Sequence, residues 1–298
     1  MYAITGATGH TGSQVVHLLL EQKHQVRAFG RSPERLQPLV EAGAEPIVGE
    51  MTDPSALRKL FSGARAAYVM IPPTMGTDDF RAFQNQVAET VTDALRQEGV
   101  GHVVVLSSVG ADKTSGTGPV VGLHGLEQRL AAVQGLNALC LRPGYFMENL
   151  LSQAQIIQSM GATAGPVAPD VKLPLIATHD IGVAAGQALL GLHFTGFSTR
   201  ELLGERDLSM TEAAHIIGQA IGRPDLGYTQ LPPDQVRAAL TGMGMSANMA
   251  DLILEMADAL NSGHMRPLEE RSEHNTTPTP LEQFVQDEFL PLMHRAQK

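Results

Sequence analysis

Six short apolar runs recur through the first half of the 298-residue chain: YAIT, QVRAF, EPIVG, AAYVMI, HVVVLSS and NALCLRP. Val and Ile dominate them, and few alternate apolar with polar residues. A strand with one wet face alternates, whereas an unbroken apolar run suits a strand covered on both faces of a parallel sheet. Segments of helical period lie between the runs. Ser32-Pro33 and Asp53-Pro54 each set a capping residue before a proline at the first helical position, and residues 78–98 form the longest amphipathic stretch. The repeating strand–helix order predicts an α/β fold with a doubly wound parallel sheet and right-handed crossovers.

The pattern changes after about residue 150. MGATAGPVAPDVKLPLI reads as loop plus one strand, and STRELLGERDLS as a strand or hairpin. THDIGVAAGQALLG reads as a helix capped by Thr178 or Asp180. Ser209-Met-Thr-Glu212 and Thr279-Pro-Leu-Glu282 both have capping-box spacing, the second opening a C-terminal helix of about 16 residues. Residues 264–278 are polar and read as an extended surface segment. The chain therefore divides into residues 1–152, holding the sheet, and residues 153–298, a smaller mixed and mainly helical part. Residues 175–192 are expected to return to the first part's core.

The loop TGATGHTG follows the first apolar run and opens the first helix. Gly6, Gly9 and Gly12 stand in G-x-x-G-x-x-G spacing, with Thr8, His10 and Thr11 between them. A dinucleotide loop needs glycines for a tight turn, for close backbone approach to pyrophosphate and for close helix–strand packing. The free N–H groups at the helix start, with the helix dipole behind them, suit that anion. The competing reading is a tight turn that holds nothing.

The end of the second strand selects the nucleotide. An Asp or Glu there holds a free ribose 2′-hydroxyl. Here the strand ends in Gly30-Arg31-Ser32, with no acid. Arg31 is a planar cation suited to a phosphate, Ser32 offers a hydroxyl, and Arg35 lies one helical turn on. NADP(H) is therefore expected over NAD(H). The alternative is a solvated basic helix start, with Arg31 paired to Glu34 or to nothing. The remaining strand ends supply the other walls, because ligands sit outside the carboxyl edge of a parallel sheet. Met51 and Thr52 are placed near adenine, Ile71, Pro72 and Pro73 near ribose, Ser107 and Ser108 on the wall at the end of the fifth strand, and Pro143, Tyr145 and Phe146 near nicotinamide.

Composition excludes several other functions. The formal charge is −10 and there is no Lys/Arg block, so a nucleic-acid partner is not expected. The single Cys140 precludes an internal disulfide, and its apolar setting suits an inert thiol. The histidines show no metal-ligand spacing, and no metal is expected. No stretch reaches the ~20 apolar residues that span a bilayer. With no charged leader visible, the chain reads as cytoplasmic. Oligomeric state stays open between monomer and homodimer.

TGATGHTG, FGRSPERL, PIVGEMTDPSAL, HVVVLSSVGA, LRPGYFMENL and TTPTPLEQFV, in that order, resemble the NmrA-like proteins, atypical members of the short-chain dehydrogenase/reductase superfamily. The resemblance runs from residue 2 to about 290. It implies a Rossmann domain with a small C-terminal domain, a substrate cleft between them, and NADP(H) with Arg31 on the 2′-phosphate. It embraces quinone and dye reductases as well as regulators that bind nucleotide without turnover.

Ordinary superfamily members use Tyr-x-x-x-Lys, in which the lysine lowers the tyrosine pKa. Gly6, Pro72, Asn149 and Pro232 stand four residues after the four tyrosines, so that pattern is absent. His124 and Glu127, at i and i+3 on one helix, offer a substitute proton donor; the alternative is a histidine that only packs in the cleft wall. Tyr145 is a second candidate donor. Met243, Met245, Met249 and Met256 read as core filler or as an adaptable apolar pocket. The leading expectation is a reductase of a small apolar or aromatic quinone, carbonyl or related electrophile. The alternative is a non-catalytic NADP(H)-sensing regulator.

Overall fold

The computed structural model describes residues 1–296. Each of the six apolar runs becomes a strand: β1 (Tyr2–Ile4), β2 (Val26–Gly30), β3 (Glu45–Val48), β4 (Ala66–Val69), β5 (His102–Leu106) and β6 (Asn137–Pro143). The helices between them are α1 (His10–Glu21), α2 (Pro33–Glu41), α3 (Pro54–Phe61), α4 (Phe80–Gln97) and α5 (Val120–Ala131). Ser32 and Asp53 cap α2 and α3 as the sequence predicts, accepting from the Arg35 and Ser55 amides.

Beyond residue 143 come β7 (Tyr145–Phe146), α6 (Gln153–Met160), β8 (Thr163–Gly165), β9 (Leu173–Ile176), α7 (Thr178–Gly191) and β10 (Phe197–Leu202). They are followed by β11 (Asp207–Leu208), α8 (Met210–Ala220), β12 (Tyr228–Gln230), α9 (Pro233–Gly242), α10 (Ala247–Asn261), α11 (Leu281–Phe284) and α12 (Leu290–Ala296).

Among the described residues the main sheet has seven strands, all parallel, in the order β10-β6-β5-β4-β1-β2-β3. The pleat explains the unbroken apolar runs. Val103 and Val105 point into a cluster shared with α3, α4 and α5. Val104 and Leu106 point the other way, into a cluster shared with α1, α2 and α7. Both faces are dry, so neither tolerates a polar alternation. Strand order reverses between β1 and β4, and the loops after these two strands open the crevice where ligands of such sheets sit.

Of the two readings of STRELLGERDLS, strand or hairpin, the strand holds: β10 pairs in parallel with β6 and adds an edge to the main sheet. Two local expectations are corrected. The N-cap of α7 is Ala177, not Thr178 or Asp180; the Thr178 amide and hydroxyl donate to Glu148, and Asp180 accepts from the amide and hydroxyl of Thr279. That diverts Thr279, so its capping box does not form and Pro280 caps α11 instead. The Ser209–Glu212 box does form.

The segment after residue 153 lies partly on the sheet. α7 packs along α1, where Gly182 and Gly186 permit the approach: a Cβ on Gly182 would stand 2.9 Å from the Thr11 carbonyl oxygen. The rest of this half builds its own cluster around Leu175, Ile217 and Phe289. No helix of the described residues is long and apolar enough to cross a membrane.

Candidate functional site

The loop after β1 is wound tightly against its own helix. Gly6 has φ +59°, a left-handed conformation that glycine adopts without strain. The Gly9 amide donates to the Gly6 carbonyl at 2.9 Å, and the Ala7 amide reaches Phe29 at the end of β2 at 3.3 Å. A Cβ on Gly12 would lie 2.2 Å from the Gly6 oxygen, so only glycine lets α1 start this close to the loop. Gly9 caps α1 without any side-chain hydrogen bond. The first amides of α1 therefore face outward unclaimed, at the positive end of the helix. This cradle fits the pyrophosphate of a dinucleotide.

Thr5, Tyr68 and Thr11 brace the cradle. The Thr5 hydroxyl bonds the Tyr68 carbonyl and accepts from the Met70 amide, while the Tyr68 hydroxyl donates to Thr11 Oγ1 at 2.9 Å. Burial pushes the Tyr68 phenol far above its ordinary value, so it stays a neutral donor. These bonds tie the ends of β1 and β4 to α1 across the strand-order reversal.

At the end of β2, Arg31 is exposed. The Glu34 carboxylate accepts from the Ser32 hydroxyl at 2.6 Å. No ion pair joins Arg31 to a carboxylate among the described residues. Arg35 Nη2 donates to the Thr8 carbonyl at 3.2 Å, pinning α2 to the glycine loop.

A cavity of about 710 Å³ opens beside the loop. Met70, Ile71 and Pro73 after β4, Ser107 and Ser108 after β5, and Tyr145 and Phe146 of β7 form its sheet side. Met249, Ile253 and Met256 of α10 face them. Met70 joins the two regions, because the Cβ that Gly6 lacks would meet its side chain at 2.7 Å. The walls are mainly apolar. Burial pushes the Tyr145 phenol up to about 12, against the opposing effect of a hydrogen bond with Asn149. Tyr145 is therefore a protonated, polar spot in an apolar wall at neutral pH.

Behind the Ser107 wall lies a buried charge network. Arg142 Nε and Nη2 reach the two oxygens of Glu127 at 3.0 and 2.5 Å, and the Ser107 hydroxyl donates to the same carboxylate at 2.5 Å. Burial is the largest single effect and opposes the Arg142 charge, but the hydrogen bond and negative charge of Glu127, with Asp112 nearby, together outweigh it and hold the guanidinium above its ordinary pKa. The pair fixes the end of β5 relative to β6 and α5.

The sequence profile of the NmrA-like family matches residues 2–289. The chain belongs to that family. An NAD(P)H azoreductase of Xenophilus azovorans is 30% identical over 258 residues, 86% of each chain. Quinone oxidoreductase 2 of Escherichia coli is 27% identical over 257 residues, again 86% of each chain. A crystal structure of the Escherichia coli NADPH-dependent quinone oxidoreductase QOR2 with NADPH superposes with a TM-score of 0.83, covering 97% of this chain and 100% of that one at 25% identity. The transcriptional regulator NmrA in complex with NAD shares the fold, with a TM-score of 0.70 at 18% identity over 100% of this chain and 97% of that one.

Within this NmrA-like chain the sequence-derived site residues separate into groups. Ile71, Pro73, Ser107, Ser108, Tyr145 and Phe146 line the cavity; Pro72 and Pro143 do not. The Thr11 side chain is turned inward to Tyr68, so only its backbone faces the cradle. Met51 is buried in the core with Phe29 and Leu57, and its side chain is not open to a ligand, unlike the half-buried Thr52 beside it.

The proposed His124–Glu127 donor pair does not form. His124 Nδ1 bonds the Ala111 carbonyl at 2.8 Å and the ring stays off the cavity lining, while Glu127 is committed to Arg142 and Ser107. An i, i+3 spacing puts two residues on one helix face but does not say what the sheet presents to that face. Met249 and Met256 line the cavity, Met245 packs at its edge and Met243 is exposed. Burial, helped by Glu127, pushes the Cys140 thiol far up, which suits an unreactive core residue.

Met70, Gln84, Asn149, Lys172 and Arg266 also line the cavity, and sequence reasoning passed over them. They come from five separate segments. Only for Met70, inside the fourth apolar run and one residue past the end of β4, did position at a strand end hold a clue.

Proposed function

We propose that the chain is an NADPH-dependent reductase that delivers hydride to a small quinone, carbonyl or related electrophile. The observation that carries this is the glycine cradle opening, past Met70, into an apolar cavity large enough for an aromatic ring system. The relatedness to an azoreductase and a quinone oxidoreductase supports it.

In this reading the loop Gly6–Gly12 and the first amides of α1 hold the pyrophosphate. Arg31, with Ser32 and Arg35 beside it, holds the 2′-phosphate, and Thr52 flanks adenine. Ser107, Ser108 and Phe146 border the nicotinamide. When bound, reduced nicotinamide supplies a hydride, two electrons with one hydrogen, and a second proton completes reduction of a quinone to its hydroquinone. Tyr145 offers a hydroxyl to the acceptor oxygen, held protonated by its burial. The apolar walls exclude water and orient a flat acceptor. With no side-chain base required for hydride transfer, the absence of Tyr-x-x-x-Lys is compatible with turnover of activated acceptors.

Addition of a neutral naphthoquinone to the NADPH-saturated protein is expected to give multiple-turnover loss of nicotinamide absorbance. Tight NADPH binding with no loss across a panel of quinones, azo dyes and enones would reject the reductase reading in favour of a nucleotide-sensing regulator.

Cofactor choice is tested separately. Arg31→Glu is expected to weaken NADPH binding on the order of tenfold or more while leaving NADH nearly unchanged, because a carboxylate repels the 2′-phosphate and accepts from a 2′-hydroxyl. Equal losses for both, read by nicotinamide fluorescence, would remove Arg31 from the 2′-phosphate.

A further inference from the structure

The chain carries 31 acidic against 21 Lys and Arg residues, yet the charged side chains lining the cavity are Lys172 and Arg266, with no carboxylate among them. The sorting is visible along α10. Its three acids, Asp251, Glu255 and Asp258, all line a different depression on the outer side of the helix, while Met249, Ile253 and Met256 face the cavity.

We infer that the substrate cavity selects acceptors bearing an acidic substituent: a flat aromatic quinone or azo compound with a sulfonate or carboxylate, whose anion lies against Lys172 and Arg266 while its rings lie on the apolar wall. This rests on the reductase reading for turnover, though not for binding.

The two cations belong to the cavity wall, which includes no residue of the glycine loop. Lys172 precedes Leu173 and Arg266 follows Met265, and both of these neighbours are buried in the cluster of the C-terminal half. The two segments are tied to each other through Asn261, whose side chain bonds Ala168 and Pro166. The phosphate cradle, in contrast, is on β1 and α1.

Arg266 is exposed and pairs with no carboxylate among the described residues. Lys172 pairs with Glu212, but both side chains are about half exposed. A solvated pair of this kind holds weakly, so an incoming anion can share the lysine at little cost. Glu212 meanwhile keeps its capping bond to the Ser209 amide.

Two matched aromatic pairs test the inference. The first is 2-naphthalenesulfonate against 2-naphthalenemethanol, titrated calorimetrically into the NADP⁺-saturated protein. The sulfonate is expected to bind about tenfold more tightly at low ionic strength, an advantage that salt collapses. The second is a sulfonated against a neutral naphthoquinone in NADPH oxidation, where the same preference should appear in KM.

Lys172→Gln and Arg266→Gln should each remove about a threefold share of the preference, and Arg266→Glu should reverse it, the preference being read in every case as the ratio of sulfonate to neutral ligand. A preference absent in the native protein, or unchanged by the variants, overturns the inference. Selective sulfonate binding without turnover of either quinone would uphold it and reject the reductase reading. Turnover of both quinones with no charge preference would do the reverse.

Discussion

Gly12→Ala is expected to abolish useful nucleotide binding. The added methyl would sit 2.2 Å from the Gly6 carbonyl oxygen and 3.1 Å from Ala7 Cα, both backbone atoms that cannot rotate aside. Relief requires α1 to withdraw from the loop, which misplaces the helix-start amides and loosens the α7 contact at Thr11. Overpacking of this kind costs about 1–3 kcal/mol of stability, and the displaced amides should cost about a hundredfold in NADPH affinity. Gly9→Ala is the control. Its methyl would lie 3.3 Å from the same oxygen, a contact that small adjustments accommodate. Fluorescence titration and thermal melting should rank native, Gly9→Ala and Gly12→Ala in that order. A Gly12→Ala protein that binds like the native one would refute the cradle.

The second large effect lies at the buried network. Arg142→Met leaves the Glu127 carboxylate, 1% exposed, with only the Ser107 hydroxyl as a partner. Stranding a buried charge costs about 3–5 kcal/mol. Glu127→Leu strands the guanidinium in the same way. The double variant Arg142→Met/Glu127→Leu removes both charges and should be more stable than either single variant in urea unfolding, because no uncompensated ion remains. Losses that simply add would show that the two residues do not act as a pair. Because Ser107 is held by the same carboxylate, the single variants should also raise KM for the acceptor; the double variant tests whether Ser107 needs Glu127 to hold its place on the wall.

The sheet was legible because its central strands are buried on both faces. Six short, mostly apolar runs admitted few other architectures, and the Ser32 and Asp53 caps marked where helices begin. The glycine cradle was legible for a similar reason: its constraint is steric and local, and Gly6, Gly9 and Gly12 carry it within seven residues. The chemistry of the cavity was not. Glu127 looked like a partner for His124 because both lie on one helix, but the decisive neighbour, Arg142, arrives from β6 and captures the carboxylate. Lys172 and Arg266 stand in unremarkable loop sequence and meet at one cavity only through Asn261 and the packing around Leu173 and Met265. STRELLGERDLS left strand and hairpin both open because the partner of β10 is β6, some sixty residues earlier, and nothing in the segment itself announces a parallel neighbour.

The return of α7 and β10 to the sheet bears on how such a chain can be taken apart. A cut near residue 152 would seem to release a self-contained cofactor module. It would instead strip the cover from the α1 face around Thr11, Gln14 and Leu18 and leave β6 as a bare edge. The half that reads as substrate machinery thus holds up the very helix whose start forms the cradle. Exchange of specificity between relatives would have to proceed through the loops around residues 166–172 and 262–267, piece by piece, rather than by transplanting a whole C-terminal half.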